Sequence, residues 1–250
     1  MNLKSFLFRL LGMKNYLRVV SRGFFASYKA GRLKNDPDYH VHYYVKKLIK
    51  KGDTIIDIGG NLGYYAALFA EWTGPTGRVY TVEPVPVFRE VLSANTAHFD
   101  NVTVYPFALG NENGRKITMG VPTGHKHFRH GLTHVINEKS TDKYTHTFEA
   151  EMRRGSDLFA DLTRLDYIKM DVEGYEIHIL PEIKPVIERH KPVIQVELGH
   201  GTRAELIRLL QSMHYTPYIV RGEEMLPLAG NEKSARGDLI FLPEGKAVGV

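Results

Sequence analysis

The chain of 250 residues is long enough for one substantial core, and a composition that is 43% hydrophobic and free of repeats suits a globular α/β protein. It contains no cysteine, which excludes structural disulfides and thiolate metal sites and is compatible with a reducing cytoplasm. The formal charge of +5 is unevenly spread: residues 1–51 carry twelve Lys or Arg against Asp36 and Asp38, a local +10, which leaves the remainder near −5.

That basic excess belongs to an N-terminal arm, residues 1–50. Within it Leu3, Phe6, Leu7, Leu10 and Leu11 recur at helical spacing with Lys4, Arg9 and Lys14 between them, which predicts one amphipathic helical face. Arg9 interrupts the apolar run, so neither a secretory segment nor a membrane span is expected. Three uses fit the stripe: packing on the main domain, peripheral contact with an anionic membrane at its inner face, and a mitochondrial transit segment. Few serines and modest Arg density disfavour the last.

The second unit, residues 51–250, alternates short β-branched runs with amphipathic ones. Strands are expected at 54–58, 78–82, 102–107, 166–170, 193–198, 216–220 and 238–242, and helices at 64–72, 87–99, 175–189 and 203–213. The 175–189 stretch is shortened by Pro181 and Pro185. Seven strands with helices between them predict an open, mainly parallel sheet covered on both faces.

The first strand runs into Asp57-Ile58-Gly59-Gly60-Asn61-Leu62-Gly63, and the second ends in Val82-Glu83-Pro84. Glycines there let the backbone approach a ligand, and the acid ending the second strand can accept both hydroxyls of a ribose. The dinucleotide fingerprint, aligned on Gly60 and Gly63, needs glycine where Ile58 stands, so nicotinamide or flavin binding is disfavoured. The spacing suits S-adenosylmethionine, which has no pyrophosphate to place on the helix N-terminus.

Residues 110–154 form an irregular insertion that opens with Asn111-Glu112-Asn113-Gly114, a hairpin signal. An insertion of this length near the ligand edge suits a substrate platform. It carries His125, His127, His130 and His134, with His146 beyond, but no carboxylate or cysteine partners accompany them and no metal site is expected.

At Lys169-Met170-Asp171-Val172-Glu173-Gly174-Tyr175-Glu176 the sequence resembles the FkbM family of S-adenosylmethionine-dependent methyltransferases. The resemblance covers about residues 52–200, with D-I-G-G-N-L-G-Y, V-E-P-V-P, A-L-G-N-E-N-G, K-M-D-V-E-G-Y-E and V-I-Q-V-E-L in family order. Gly155-Ser156-Asp157-Leu158 departs from the usual Leu-Asp before a short helix. The resemblance implies a class I methyltransferase Rossmann-like fold, here with an N-terminal helical extension, and O-methylation of a sugar or secondary metabolite. It also implies that Asp57, Gly59, Asn61 and Gly63 line the methionine end, Glu83 the ribose, and Ala108 with Leu109 the adenine. Asp171 and Glu173 would lie at the reacting centre.

A hydroxyl needs a positioned base, and Asp171, at a strand end on the ligand edge, is the first candidate. Glu173 precedes a glycine that lets the turn close, whereas Glu176 falls in a first helical turn and suits a cap. Glu197 and His200 end the next strand over, and His200 is an alternative base because imidazole titrates near working pH. A nucleic-acid partner is not expected, since D-V-E-G stands where base amino-methylation carries Asn or Asp before Pro-Pro and an aromatic. The acceptor expected first is a sugar, glycan or glycolipid hydroxyl. The alternatives are a polyketide-like metabolite and a binding module that has lost turnover.

Overall fold

The computed structural model describes residues 3–123, 128–136, 142–197, 201–228 and 237–246. The arm is a helix, α1 (Leu3–Lys29), interrupted at Gly12, where φ is +69°. A short helix α2 (His40–Tyr44) leads to the strand β1 (Thr54–Ile58) and helix α3 (Tyr64–Thr73), then β2 (Arg78–Val82) and α4 (Pro86–Thr96). Next come β3 (Val102–Tyr105), β4 (Phe107–Gly110), β5 (Lys116–Pro122), β6 (His134–Val135) and β7 (Tyr144–Arg154). The chain continues through α5 (Gly155–Leu158), β8 (Tyr167–Met170), α6 (Glu176–Ile179), α7 (Lys184–His190) and β9 (Val193–Glu197). It closes with α8 (Arg203–Ser212), β10 (Tyr215–Arg221), β11 (Glu224–Pro227) and β12 (Asp238–Pro243).

Among the described residues, eight strands form the main sheet in the order β11-β10-β12-β9-β8-β1-β2-β3. The five strands from β9 to β3 pair in parallel, while β12, β10 and β11 add antiparallel partners at one edge. All seven expected strands lie in this sheet. The eighth, β11, follows the Gly222 turn (φ +62°) as a short hairpin partner of β10, and its half-exposed pattern gave little periodic signal. The expected 102–107 strand is two strands: β3 stays in the main sheet, and β4 leaves it to pair with β7. The expected 175–189 helix is also two, α6 and α7, with the second beginning at the Lys184-Pro185 step where proline suits a first turn.

The insertion folds as a second sheet, β4-β7-β5-β6, beside the first. Apolar side chains fill both faces of the main sheet. Ile168, Met170, Ile194, Val196 and Phe241 pack toward α6, α7 and α8, while Ile55, Val79, Tyr167 and Ile240 pack toward α2 and α3. A third cluster joins Tyr16 and Leu17 of α1 to Phe88 and Val91 of α4 and to Met119 and Met152 of the second sheet.

The stripe on the arm divides. Leu7 and Leu11, together with Phe8, pack against that third cluster, whereas Phe6 is 47% and Leu10 is 67% exposed. No described helix is long and apolar enough to cross a membrane.

Candidate active site

The chain leaves β1 toward β2 and β3 on one side and later returns to β8 on the other, so β1 and β8 bound the crevice where an open α/β sheet takes its ligand. Gly59 and Gly60 hold the turn after β1, both donating from the backbone to the Val82 carbonyl at 3.0 Å. Gly59 has φ +83°, and a Cβ there would stand 1.9 Å from the Asp171 carbonyl oxygen. Only a bare backbone permits so close an approach between the two strand ends.

Asn61 is the next special residue, with φ +49°. Its backbone N–H donates to Glu83 Oε2 at 2.7 Å, and the Val85 N–H donates to Oε1 at 2.8 Å. Glu83 is thus fixed in place by two backbone donors, and each oxygen keeps a lone pair for a further hydroxyl. Burial pushes its carboxyl up to about 7, against those two hydrogen bonds and nearby Arg89, which pull it down. Arg89 in turn donates to the carbonyls of Glu83 and Pro84 at 3.1 and 2.9 Å, bracing the loop that carries the acid.

One cavity collects Gly59, Asn61, Glu83, Ala108, Leu109, Asp171 and Glu173, seven residues expected from the sequence to share a site. Asp57 and Gly63 stand behind its wall. Asp57 is fully buried and accepts from the Thr81 hydroxyl at 3.1 Å, and its Oδ1 has no hydrogen-bond partner but lies 3.9 Å from the Lys169 ammonium. Gly63, at φ +81°, packs α3 on α4, since a Cβ there would meet Leu92 at 3.1 Å. His200, with His125 and His127, lies outside the described residues.

Three residues at the site carry roles that motif reading did not assign. Lys169 is 3% exposed in a strand buried throughout, and its ammonium reaches Asp171 Oδ2 at 3.2 Å and the Gly59 carbonyl at 3.4 Å. Burial alone would lower this ammonium, but Asp171, Asp57 and Asp238 together raise it above its ordinary value. A lysine inside an apolar central strand was the available signal, because such a charge persists only when paired.

His130 is the second. Its Nδ1 donates to Asn61 Oδ1 at 2.9 Å, and its ring sits beside Phe88 and Tyr64, so the insertion reaches over the glycine corner. Burial pushes the imidazole down to about 4, with Lys4 adding to the effect, which keeps the ring neutral. His134 is spent elsewhere, its Nδ1 donating to the Leu132 carbonyl at 3.0 Å. Nothing in the linear order of the histidines distinguishes His130.

Glu197 is the third. One of its carboxylate oxygens and one each from Asp171 and Glu173 lie within 4.8 Å of one another. Glu173 holds its place with φ +53°, a conformation that costs a non-glycine residue energy and recurs at functional sites. Burial, then Asp171 and Glu176, pushes its carboxyl up to about 8. Glu176 accepts from the backbone N–H groups of Val172 at 3.0 Å and Gly174 at 3.3 Å, so it ties down the turn before α6 instead of capping the helix, whose N-cap Tyr175 has no side-chain hydrogen bond.

The bare glycine turn, the doubly held acid after β2 and the apolar wall of Ala108 and Leu109 fit an adenosyl cofactor without pyrophosphate, and the strand-end carboxylates suit its cationic end. The fold is shared with a methyltransferase FkbM from Methylobacillus flagellatus KT: TM-score 0.51, 18% sequence identity, 81% of this chain and 47% of that one. Fold and site together define a class I methyltransferase of the Rossmann-like type. A model of the methyltransferase FkbM domain matches residues 57–217, and the chain belongs to that family.

Curated relatives match over a shorter stretch. A protein-L-isoaspartate O-methyltransferase of Methanothrix thermoacetophila is 38% identical over 58 residues, which is 22% of this chain and 28% of that protein. The corresponding protein of Ignicoccus hospitalis is 42% identical over 60 residues, again 22% and 28%. The chain thus spans little more than a quarter of the curated relatives it matches.

Proposed function

We propose that the enzyme methylates a hydroxyl of a sugar, glycan or glycolipid, with Asp171 receiving the hydroxyl proton. The observation that carries this reading is the placement of Asp171 and Glu173 on the same cavity wall as Gly59, Asn61 and Glu83. When bound, S-adenosylmethionine supplies a methyl group on a sulfonium, and the oxygen–methyl bond forms as the sulfur–methyl bond breaks.

With so reactive a donor the protein's contribution is alignment and removal of one proton. Asp171, held through Oδ2 by Lys169, offers its other oxygen to the hydroxyl. Glu173, whose burial favours the neutral acid at pH 7, donates a hydrogen bond to a second acceptor oxygen. That pairing suits a polyol better than an isolated alcohol. Met119 and Val135 from the second sheet, with His130 and Thr133 from the turn before β6, wall the cavity and act as the platform for the acceptor.

Exposed Phe6 and Leu10, flanked by exposed Lys4 and Arg9, support peripheral contact with an anionic membrane, where a lipid-linked glycan would be within reach. The test is transfer of a labelled methyl group from the cofactor to fractionated glycans, glycolipids and polyketide-like metabolites. Label in carbohydrate fractions is expected. Label confined to a metabolite fraction without sugars would overturn the acceptor assignment.

A further inference from the structure

β8 and β9 pair in parallel with Met170 opposite Val196, so the next residues, Asp171 just past β8 and Glu197 ending β9, stand side by side at the sheet's carboxyl edge. Their carboxyl groups come within hydrogen-bonding reach of each other. Two ionised carboxylates would repel at that distance, whereas a carboxylic acid beside a carboxylate makes a short, charge-assisted hydrogen bond. The local charge balance leads the same way. Lys169 is one buried ammonium acted on by Asp57, Asp171, Glu173 and Asp238, with Glu197 beside Asp171 and Glu173, and it reaches Asp57 and Asp171 within 4.0 Å.

The other charged or titratable groups around the cluster come from several elements. Arg129, before the His130 turn, acts on Glu173, and Glu176 of α6 adds a further acid. His42 of α2 is buried and pushed down to about 3, hence neutral, and Tyr65 of α3 presents its ring to Lys169 at 5.3 Å. Asp238 of β12 accepts from the Gln195 amide. Among the described residues Glu197 makes no ion pair, while Asp171 has the ammonium, so the proton belongs to Glu197. Burial and the neighbouring Asp171, Asp238 and Glu173 all raise its carboxyl, in keeping with that assignment.

We infer that Glu197 is a positioning residue of the methyl-transfer reaction: as the neutral acid it donates a hydrogen bond to Asp171, fixing between itself and Lys169 the carboxylate that faces the acceptor. The inference rests on the reading of Asp171 as proton acceptor. Its chemistry adds no bond change, because the proton on Glu197 stays there while Asp171 receives the one from the hydroxyl.

The experiment uses the full chain, with carbon-13 in the glutamate carboxyls, and follows their NMR titration without cofactor or acceptor. The resonance lost in Glu197→Gln should titrate above pH 7. A midpoint in the ordinary glutamate range, near pH 4, overturns the proposal. The second arm measures labelled methyl transfer to whichever acceptor fraction is active. Glu197→Ala should lower kcat about tenfold or more with KM for S-adenosylmethionine unchanged, and Glu197→Gln, whose amide still donates, should restore most of that loss. The wild type should lose activity on the alkaline side in two steps, as Glu173 and then Glu197 ionise, and the Gln variant should keep only the step that belongs to Glu173.

A Gln variant as impaired as Ala overturns the donor role. So does a Glu197 resonance that shifts with millimolar Mg²⁺ together with turnover abolished by a chelator, since the three carboxylates would then be cation ligands. If no fraction accepts methyl, the functional reading fails, and the titration still decides the protonation of Glu197.

Discussion

Glu83 illustrates how much one side chain is asked to do. It receives two backbone hydrogen bonds that organise the corner, and in the proposed reading it also accepts the ribose hydroxyls. Replacing it with alanine should weaken S-adenosylmethionine binding by about 1.5–3 kcal/mol, the range for hydrogen bonds to a charged group, read by calorimetry with the fold checked separately. Unchanged affinity would remove Glu83 from the cofactor site. Asp171→Asn keeps the shape of the side chain but cannot take a proton, and a loss of about 10²-fold in kcat with near-normal cofactor affinity is expected. Equal losses in both would make Asp171 a positioning residue for the cofactor. Glycine-acid spacing made Gly59, Asn61 and Glu83 legible from sequence, because the backbone constraint is local. Lys169, His130 and Glu197 were not assigned: Asp171 is two positions from Lys169, but the contacts of Lys169 with Gly59, His130 with Asn61 and Glu197 with Asp171 span 110, 69 and 26 positions and exist only once strands are ordered.

Among the elements, α1 carries the question of what the arm does. Its two halves meet at Gly12, and the first half divides its apolar residues between a packed face and an exposed one. Helical periodicity alone could not separate these faces, since Phe6 with Leu10 and Leu7 with Leu11 obey the same spacing. If the exposed face meets lipid, the intact chain should sediment with anionic vesicles at low salt and release as salt screens the basic residues, each worth about 1 kcal/mol near the surface. Substituting Phe6 and Leu10 by serine should abolish sedimentation and leave the melting temperature nearly unchanged, because both side chains are exposed. Vesicles that never bind the intact chain would leave only the packing role of Leu7 and Leu11.

Across the molecule, the main sheet was legible from β-branched runs and turn residues, whereas the second sheet was not. β7 spans Tyr144–Arg154 with alternating half-exposed residues, and its pairing with β4 across more than thirty residues has no local signature. The site that β4, β5 and β6 help to wall leaves a thermodynamic trace. Glu83 and Glu173 bind protons more tightly folded than unfolded, their carboxyls rising from 4.5 to about 7 and about 8. Between pH 4.5 and those values the folded chain holds more protons than the unfolded chain, so their contribution to stability falls as pH rises. For Glu83, which is 4% exposed, the loss is on the order of 2–3 kcal/mol by pH 7. Glu83→Gln should flatten that slope in denaturant titrations of the enzyme without cofactor, and an unchanged slope would place the proton elsewhere.

Methyl transfer to a hydroxyl leaves an ether, and the stability of that product bond distinguishes it from an ester. Material labelled from the methyl group of S-adenosylmethionine is recovered and treated with mild base. A methyl ether on a sugar hydroxyl should keep its label and release a methylated monosaccharide only on acid hydrolysis of the glycan. Rapid release of the label as methanol in base would identify a methyl ester on a carboxylate and rule out a hydroxyl acceptor.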